Sequence, residues 1–224
     1  PILRGKDIKR YYYEWARLWV IGTFPALHLN IDDYPALRKY FLDHFDIRQL
    51  EQSGKKYSEL GFNARKKTGN KWFETQDQIA YYPEFEKEKV VWQRITQEPT
   101  FCLVEPNVFI LDSMAFFTGN KLKYVMALLN SKVIYEYVKM IVHQYGFTGF
   151  RLSNQYVEVM PLPLITAANE PQVKRIESLV DKILAAKKQA PQADTSEWER
   201  EIDEIVYKLY DLTNEEIKII EDKQ

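Results

Sequence analysis

The residues closest to a catalytic pattern are two acid–lysine pairs, Asp7-x-Lys9 and Glu216-x-Lys218. Metal-dependent cleavage of phosphodiesters can use an Asp together with a nearby Glu-x-Lys element, which holds Mg²⁺ beside the attacking water. Such short pairs arise by chance in a chain with 28% charged residues, and neither pair lies on an obvious predicted strand. A metal-dependent nuclease is therefore kept only as the least favoured alternative.

Other motifs of catalysis are absent from the sequence. The chain contains no GxxxxGK[ST] phosphate loop, no HExxH and no GxSxG. It also lacks the Asn/Asp/Ser-Pro-Pro-aromatic motif and the Gly-rich turn with which amino-type DNA methyltransferases hold a flipped base and S-adenosylmethionine. The histidines are widely spaced, and the single cysteine, Cys102, excludes an intramolecular disulfide. We predict no metal site and no catalytic residue, which favours a binding module.

Positive charge is concentrated outside the C-terminal quarter of the chain. The net charge is −1, but residues 170–224 carry 9 Lys/Arg against 14 Asp/Glu, which leaves 22 against 18 in residues 1–169, a net charge of +4. Within this region, Lys and Arg cluster near the N-terminus and in a Gly-punctuated stretch after Ser53. A solvated loop explains this clustering equally well, yet it is typical of proteins that bind a polyanion.

The elements that must position these cations form a mixed pattern. Aromatic and β-branched residues predict a strand at 15–21, and near-helical apolar spacing predicts a helix at 34–50, capped by Asp32-Asp33. Periodicity vanishes at 53–75, which predicts a long, functional loop. Three further strands are predicted at 89–94, 100–104 and 108–112, and together they suggest a small antiparallel sheet.

The second half of the chain is predicted to be helical. Two helices follow Lys121, with a break at Asn130-Ser131, and we expect them to pack on the sheet. Beyond a boundary near Thr166, two apolar stripes separated by 190–192 predict a helical hairpin followed by a short third helix. Ser196-x-x-Glu199 and Thr213-x-x-Glu216 fit capping boxes at the helix starts.

The predicted fold is α+β: a small antiparallel sheet with packed helices, followed by a C-terminal helical hairpin. We divide it into a domain at 1–166 and a helical spacer or docking segment at 167–224. No signal peptide and no apolar run of the ~18 residues that a membrane span needs is present, so we expect a cytoplasmic protein without a membrane partner. Because the sequence starts with Pro1 inside an ordered-looking motif, we also expect a fragment of a larger protein.

Six patterns in order along the chain resemble one known family. They are Gly5-Lys6-Asp7-Ile8-Lys9-Arg10-Tyr11; Tyr34-Pro35-Ala36-Leu37 with Lys39-Tyr40; Lys71-Trp72-Phe73-Glu74; Lys89-Val90-Val91-Trp92 with Arg94-Ile95; Leu128-Leu129-Asn130-Ser131-Lys132; and Arg151-Leu152-Ser153-Asn154-Gln155-Tyr156 running into Met160-Pro161-Leu162-Pro163. Together they resemble the TaqI-like C-terminal specificity domain, the target-recognition part of combined restriction–modification enzymes.

The resemblance implies an α+β domain that binds double-stranded DNA opposite a methyltransferase domain of the same parent chain. In this family that domain methylates adenine at N6, and some single-chain members also carry an endonuclease domain. S-adenosylmethionine and Mg²⁺ are therefore expected only for parent domains outside this chain, and no cofactor is expected here. A helical protein-interaction module, with its function in the tail, is the main alternative.

Candidate DNA contacts follow from the division between phosphate and base recognition. Lys and Arg neutralise phosphates, whereas side chains of fixed geometry recognise base edges. We predict phosphate contacts from Arg4, Lys6, Arg65, Lys66, Lys67 and Lys71. We predict base or backbone contacts from Asn63, Asn70, Trp72, Asn120 and Lys121, although an aromatic residue placed like Trp72, beside Phe73, more often belongs to a core.

Overall fold

The computed structural model describes residues 1–146 and 149–222. The chain forms two compact units. The first, called the sheet unit, consists of Pro1–Trp19 and Phe85–Gln224, and the second, called the loop unit, consists of Val20–Glu84. Helices pack on small, mostly antiparallel sheets, so the fold is α+β as predicted.

The N-terminal segment of the sheet unit forms three two-residue strands: β1 (Ile2–Leu3), β2 (Ile8–Lys9) and β3 (Tyr12–Tyr13). Strands β2 and β3 form an antiparallel hairpin. Tyr11, in its turn, has a left-handed φ of 68°, and its ring is buried in the main core. The hairpin is thereby fixed to the rest of the sheet unit.

The strand predicted at 15–21 is wrong, because these residues form no regular secondary structure. Arg17 has a φ of 58°, which lies outside the extended region that a strand requires. The bend is held locally, since the Trp15 indole N–H donates to the Leu18 carbonyl at 2.9 Å. Aromatic composition alone gave no sign of this bend.

In the loop unit, the helix predicted at 34–50 is present but divided into α1 (Pro35–His44) and α2 (Ile47–Leu50). The division occurs because the Asp46 carboxylate accepts a hydrogen bond from the Arg48 backbone N–H and caps a new helix. The predicted cap at Asp32-Asp33 is also wrong: both residues lie in a short 3₁₀ turn, and α1 begins with Pro35 after Tyr34.

The aperiodic stretch at 53–75, called the basic loop, contains regular structure only in a short hairpin of β4 (Lys56–Tyr57) and β5 (Phe62–Asn63), with a 3₁₀ turn between them. The prediction of a long loop is therefore confirmed. Gly61 closes the hairpin turn with a φ of 73°, a conformation that favours glycine.

The central sheet of the sheet unit is antiparallel and contains β6 (Lys89–Gln93), β8 (Phe101–Val104) and β10 (Met114–Phe117). Strand β6 lies in the middle. Val90 and Trp92 pack into one buried cluster, and Val91 packs into another. Because adjacent side chains on a strand point to opposite faces, β6 has an apolar core on both sides.

The third strand of this sheet differs from the predicted one at 108–112. Only β9 (Phe109–Ile110) forms there, and it pairs in parallel with β1. Both 108–112 and Met114–Phe117 are short apolar runs, and local pattern does not determine which run pairs with β6. The choice depends on long-range register, in which Met114 faces Gln93 and Phe117 faces Val90.

The two predicted helices after Lys121 are confirmed as α3 (Leu122–Leu129) and α4 (Lys132–Ile141). The predicted break between them, at Asn130-Ser131, is buried. The Asn130 side chain accepts from the Phe101 backbone N–H at 3.0 Å and donates to the Phe101 carbonyl at 2.9 Å, while Ser131 caps α4. The break therefore fastens the helix pair to β8.

A second small sheet contains β7 (Ile95–Thr96), β11 (Gln144–Tyr145) and β12 (Gly149–Arg151), with β12 in the middle. A short helix, α5 (Asn154–Glu158), follows β12. Strand β7 comes directly after β6 and Arg94, so the chain leaves the central sheet and enters the second sheet at Arg94.

The C-terminal hairpin and third helix are confirmed as α6 (Glu170–Gln189), α7 (Ser196–Leu209) and α8 (Asn214–Glu221). The apolar stripe of α6, including Val173, Ile176 and Ile183, is fully buried in the same core as the central sheet. The stripes thus serve internal packing, which leaves the proposed docking role of the tail without support from these faces. The division near Thr166 stays a prediction.

One of the two predicted capping boxes is confirmed. Thr213 and Glu216 cap α8 reciprocally. The box at Ser196 is wrong, because the N-cap of α7 is Thr195, whose hydroxyl donates to the Glu199 carboxylate at 2.7 Å and does not cap a backbone N–H. The N-cap therefore lies one residue before the one that the sequence predicted.

Candidate nucleic-acid interface

The basic loop is held from inside by two side chains. The Gln52 amide donates to the carbonyls of Lys71 and Glu74 at 3.0 and 2.9 Å and accepts from the Thr68 hydroxyl. The Arg65 guanidinium donates to three backbone carbonyls, those of Leu50, Trp72 and Glu74. These side-chain hydrogen bonds therefore order the loop backbone, as hydrogen bonds between strands do in a sheet.

Arg65 was predicted to bind phosphate, and the structure places its guanidinium against the loop backbone. Partial burial lowers its pKa. With four of its N–H groups directed at three carbonyls, Arg65 orders the loop backbone. A phosphate contact from Arg65 stays a prediction.

The exposed lysines of the loop have the opposite character. Lys66 and Lys67 are exposed, as are Lys55 and Lys56, and none of these four ammonium groups forms a hydrogen bond or ion pair with a described residue. Lys71 is exposed but donates to the Leu29 carbonyl at 2.9 Å and lies 4.0 Å from a Glu74 oxygen. The ammonium groups of Lys55, Lys56, Lys66 and Lys67 are therefore available to bind an external anion.

The polar and aromatic candidates of the loop unit differ in availability. Asn63 is exposed on β5. Asn70 is used internally, because its amide donates to the Thr75 and Gln76 carbonyls and accepts from Gln78. Trp72 is half-buried and packs edge-to-face on Phe41 and Phe73, which matches the core interpretation of this residue more closely than the stacking one.

The predicted N-terminal candidates lie in the sheet unit. Arg4 forms two hydrogen bonds with Asp7, of 3.1 and 2.8 Å, and its backbone N–H donates to the same carboxylate at 2.9 Å. Burial opposes ionisation of Asp7, but the hydrogen bonds from Arg4 outweigh it and hold the pKa of Asp7 below its ordinary value. Lys6 is exposed, and its ammonium group forms no hydrogen bond to a described residue.

Asn120 and Lys121 precede α3 in the sheet unit. Asn120 is exposed. Lys121 has a left-handed φ of 57°, and its ammonium group pairs with Glu177 of α6 at 3.0 Å. This pair fastens the start of α3 to the tail, so Lys121 has an internal partner.

The acidic residues of the nuclease alternative also have structural roles. Asp7 is buried against Arg4, and Glu216 accepts hydrogen bonds from the Thr213 backbone and hydroxyl. Within residues 1–146 and 149–222, no cluster of three or more His, Cys, Asp or Glu side chains could hold a metal ion.

The structure also reveals a cleft that the sequence did not assign, with a volume of about 460 Å³. It lies in the sheet unit, where β7 and β12 separate from the central sheet. We call it the arginine cleft. Its lining residues are Gly5, Gln93, Arg94, Ile95, Asp112, Ser113, Arg151, Ser153, Asn154 and Gln155.

Backbone pairing fixes the frame of the arginine cleft. The Arg94 N–H donates to the Ser113 carbonyl at 3.0 Å, and Arg151 pairs with Ile95 across the second sheet. The Gln93 amide donates to the Gly5 carbonyl at 2.5 Å, and a Cβ on Gly5 would lie only 3.2 Å from the Gln93 side chain. Three of the six sequence patterns thus meet at one site.

The two arginines of this cleft were not predicted as site residues. Both are exposed. Each belongs to a pattern quoted from the sequence, Arg94-Ile95 and Arg151-Leu152-Ser153, but the two are separated by more than fifty residues. Their convergence depends on the pairing of β7 with β12, a long-range register that local periodicity does not encode.

Comparisons with known proteins agree with these patterns. A sequence model of the TaqI-like C-terminal specificity domain matches residues 1–162. Among curated proteins, the chain is similar to the type II methyltransferase M.BstVI of Geobacillus stearothermophilus, with 24% identity over 237 residues. That similarity covers 99% of this chain and 36% of the methyltransferase, so the chain spans about a third of the relative's length.

Whether the helices could cross a membrane depends on their length and apolar composition. In the part of the chain that the structure describes, none of them combines the length and the apolar composition needed to cross a membrane.

Proposed function

Because the chain belongs to the TaqI-like C-terminal specificity domain family, we propose that it recognises a specific sequence of double-stranded DNA for a restriction–modification enzyme. The family supports a role in target specificity. The finer step, from specificity to direct contact with duplex DNA, is supported by the cations described above.

The observation that carries the proposal is the group of exposed lysines without internal partners on the basic loop. Lys55, Lys56, Lys66 and Lys67 lie within thirteen residues of one another on a loop that buried hydrogen bonds keep ordered. Like charges repel, and a folded chain gains nothing internally from holding them together. A polyanion neutralises them, and counterion release from DNA makes that binding favourable and salt-dependent.

The partner within the parent protein is proposed to be a methyltransferase domain. The relative from Geobacillus stearothermophilus is named a type II methyltransferase, and this chain aligns with about a third of it. We propose a parent that methylates adenine at N6, with or without a fused endonuclease. S-adenosylmethionine and Mg²⁺ would then act in those other domains, and this chain would be a non-catalytic specificity module.

The test is selection of bound DNA from a random-sequence duplex pool by the full 224-residue chain at two salt concentrations, followed by sequencing. We expect enrichment of one short motif and weaker retention at the higher salt concentration. Retention without an enriched motif, or no retention at low salt, would contradict the proposal.

A further inference from the structure

The arginines of this chain fall into two groups when their partners are compared. Seven of the ten arginine side chains form a hydrogen bond or ion pair: Arg4, Arg10, Arg38, Arg48, Arg65, Arg175 and Arg200. The remaining three, Arg17, Arg94 and Arg151, form none with any residue that the structure describes. Two of these three line the arginine cleft.

The backbones of Arg94 and Arg151 are fixed, although their side chains form no hydrogen bond or ion pair with a described residue. Arg94 lies at the junction between the two sheets, with its backbone bonded to Ser113, and Arg151 ends β12. The buried Trp92 indole donates to the Leu152 carbonyl at 2.9 Å and joins β6 to the residue that follows β12. Because this frame fixes the backbone of both arginines, binding at the cleft orders their side chains without the cost of ordering a backbone segment.

The other polar groups of the cleft distinguish base recognition from phosphate binding. Asp112 lines the cleft and forms no ion pair with either arginine within 4.0 Å. A carboxylate repels a phosphate but accepts a hydrogen bond from the cytosine amino group. Asn154 and Gln155, both exposed, add amides of the type that recognises adenine. The basic loop, in contrast, offers lysines, which act as point charges without a fixed fork.

We propose that Arg94 and Arg151 are specificity-determining residues that recognise guanine through paired hydrogen bonds to O6 and N7, so that the DNA target contains a G·C pair at the arginine cleft. This inference rests on the proposed function. It goes beyond that function by assigning base recognition to the sheet unit and by naming the base.

The experiment compares Arg94→Lys and Arg151→Lys in the full chain with wild type, using selection from the random duplex pool and then affinity for single-base variants of the selected site. Lysine keeps the positive charge but loses the guanidinium fork. Both arginines are exposed, and their side chains bond to no residue that the structure describes, so we expect the substitutions to leave the fold intact. Arg17→Lys, at the third unpaired arginine outside the cleft, is the matched control.

We expect each cleft variant to lose about tenfold or more of its preference for guanine at one position, while the Arg17→Lys control keeps the wild-type preference. Unchanged preference in both cleft variants, when wild type selects a motif, overturns the inference and leaves the proposed function standing. A wild-type chain that selects no motif overturns the proposed function and the inference together.

Discussion

The basic loop and the arginine cleft both present cationic side chains, but different interactions order their backbones. In the loop, side chains such as Gln52 and Arg65 bond to backbone carbonyls and substitute for a regular ladder. In the cleft, paired strands over a buried core fix Arg94 and Arg151. A loop of lysines suits a repetitive phosphate backbone, whereas recognition of one base edge needs the more rigid frame.

The first test of this contrast substitutes Trp92, the buried residue that supports the cleft. It has the largest expected effect. Trp92→Ala removes a buried indole and its bond to Leu152, and we expect a loss of about 3–5 kcal/mol in the free energy of unfolding. Chemical denaturation measures it. Trp92→Phe, which keeps most of the apolar volume, is the control and should lose less. Equal losses in both variants would mean that packing volume contributes little.

A second contrast concerns pH. Two carboxyl groups, one buried and one in an ion pair, have pKa values that are shifted in opposite directions. Asp203 on α7 accepts from the Lys132 backbone N–H at 2.9 Å, and burial raises its pKa to about 6 against hydrogen bonding from Lys132 and the charge of Arg10. Asp46 in the loop unit is only partly buried, and hydrogen bonds from Arg48 lower its pKa to about 2.

The sign of each effect follows from these shifts. A raised pKa in the folded state means that Asp203 contributes stability at low pH, which is lost as pH rises from about 4 to about 6. We therefore expect Asp203→Asn, neutral at every pH and still an acceptor for Lys132, to gain up to about 3 kcal/mol on wild type between pH 4 and pH 7.

Urea unfolding at pH 4.5 and pH 7.5 measures this change. Asp46→Asn is the comparison: the contribution of its ion pair changes only between about pH 4 and pH 2, so the stability difference between this variant and wild type should be the same at pH 4.5 and pH 7.5. A parallel response of the two variants would show that burial of Asp203 does not control its ionisation.

The third effect tests how the basic loop is held. Arg65→Ala removes the guanidinium donor of the Leu50 and Trp72 carbonyls and one of the two side-chain donors of the Glu74 carbonyl, and we expect a local loss of about 2 kcal/mol, confined to the loop unit. Hydrogen exchange of the backbone amides at 50–75 should accelerate, while the exchange in β6 stays unchanged. Lys66→Ala is the matched control on the adjacent, unpaired residue. Equal exchange in both variants would mean that Arg65 does not order the loop.

These contrasts show which features a sequence can predict. The break at Asn130-Ser131 and the aperiodic basic loop follow from local pattern, because apolar periodicity and glycine spacing are local properties. The choice of Met114–Phe117 as the third strand does not, because it depends on pairing with β6, which is distant in the sequence.

The same limit applies to the candidate site. Charge clustering identified Lys66 and Lys67, which the structure leaves exposed, but it could not separate them from Arg65, whose donors satisfy the loop backbone. Charge clustering also could not predict that Arg94 and Arg151 line one cleft, because their proximity is determined by strand register.

The smallest effect concerns the lysines alone. Lys66→Ala/Lys67→Ala should weaken DNA binding and reduce the slope of log affinity against log salt by about 1.8, since each phosphate contact contributes about 0.9. Fluorescence anisotropy over a salt series measures it. Lys218→Ala, an exposed lysine on α8, is the control and should leave the slope unchanged. A slope that is equal in all three proteins would exclude the loop from the phosphate contacts.

The central claim, that this chain recognises a specific duplex, is tested most directly by competition. The full chain is bound to the duplex selected from the pool, and unlabelled competitors of the same composition are added, one with the selected motif and one with it scrambled. The account predicts that the selected motif competes at least about a thousandfold better at physiological salt. Equal competition by the scrambled duplex would show that the chain binds DNA only through its charge.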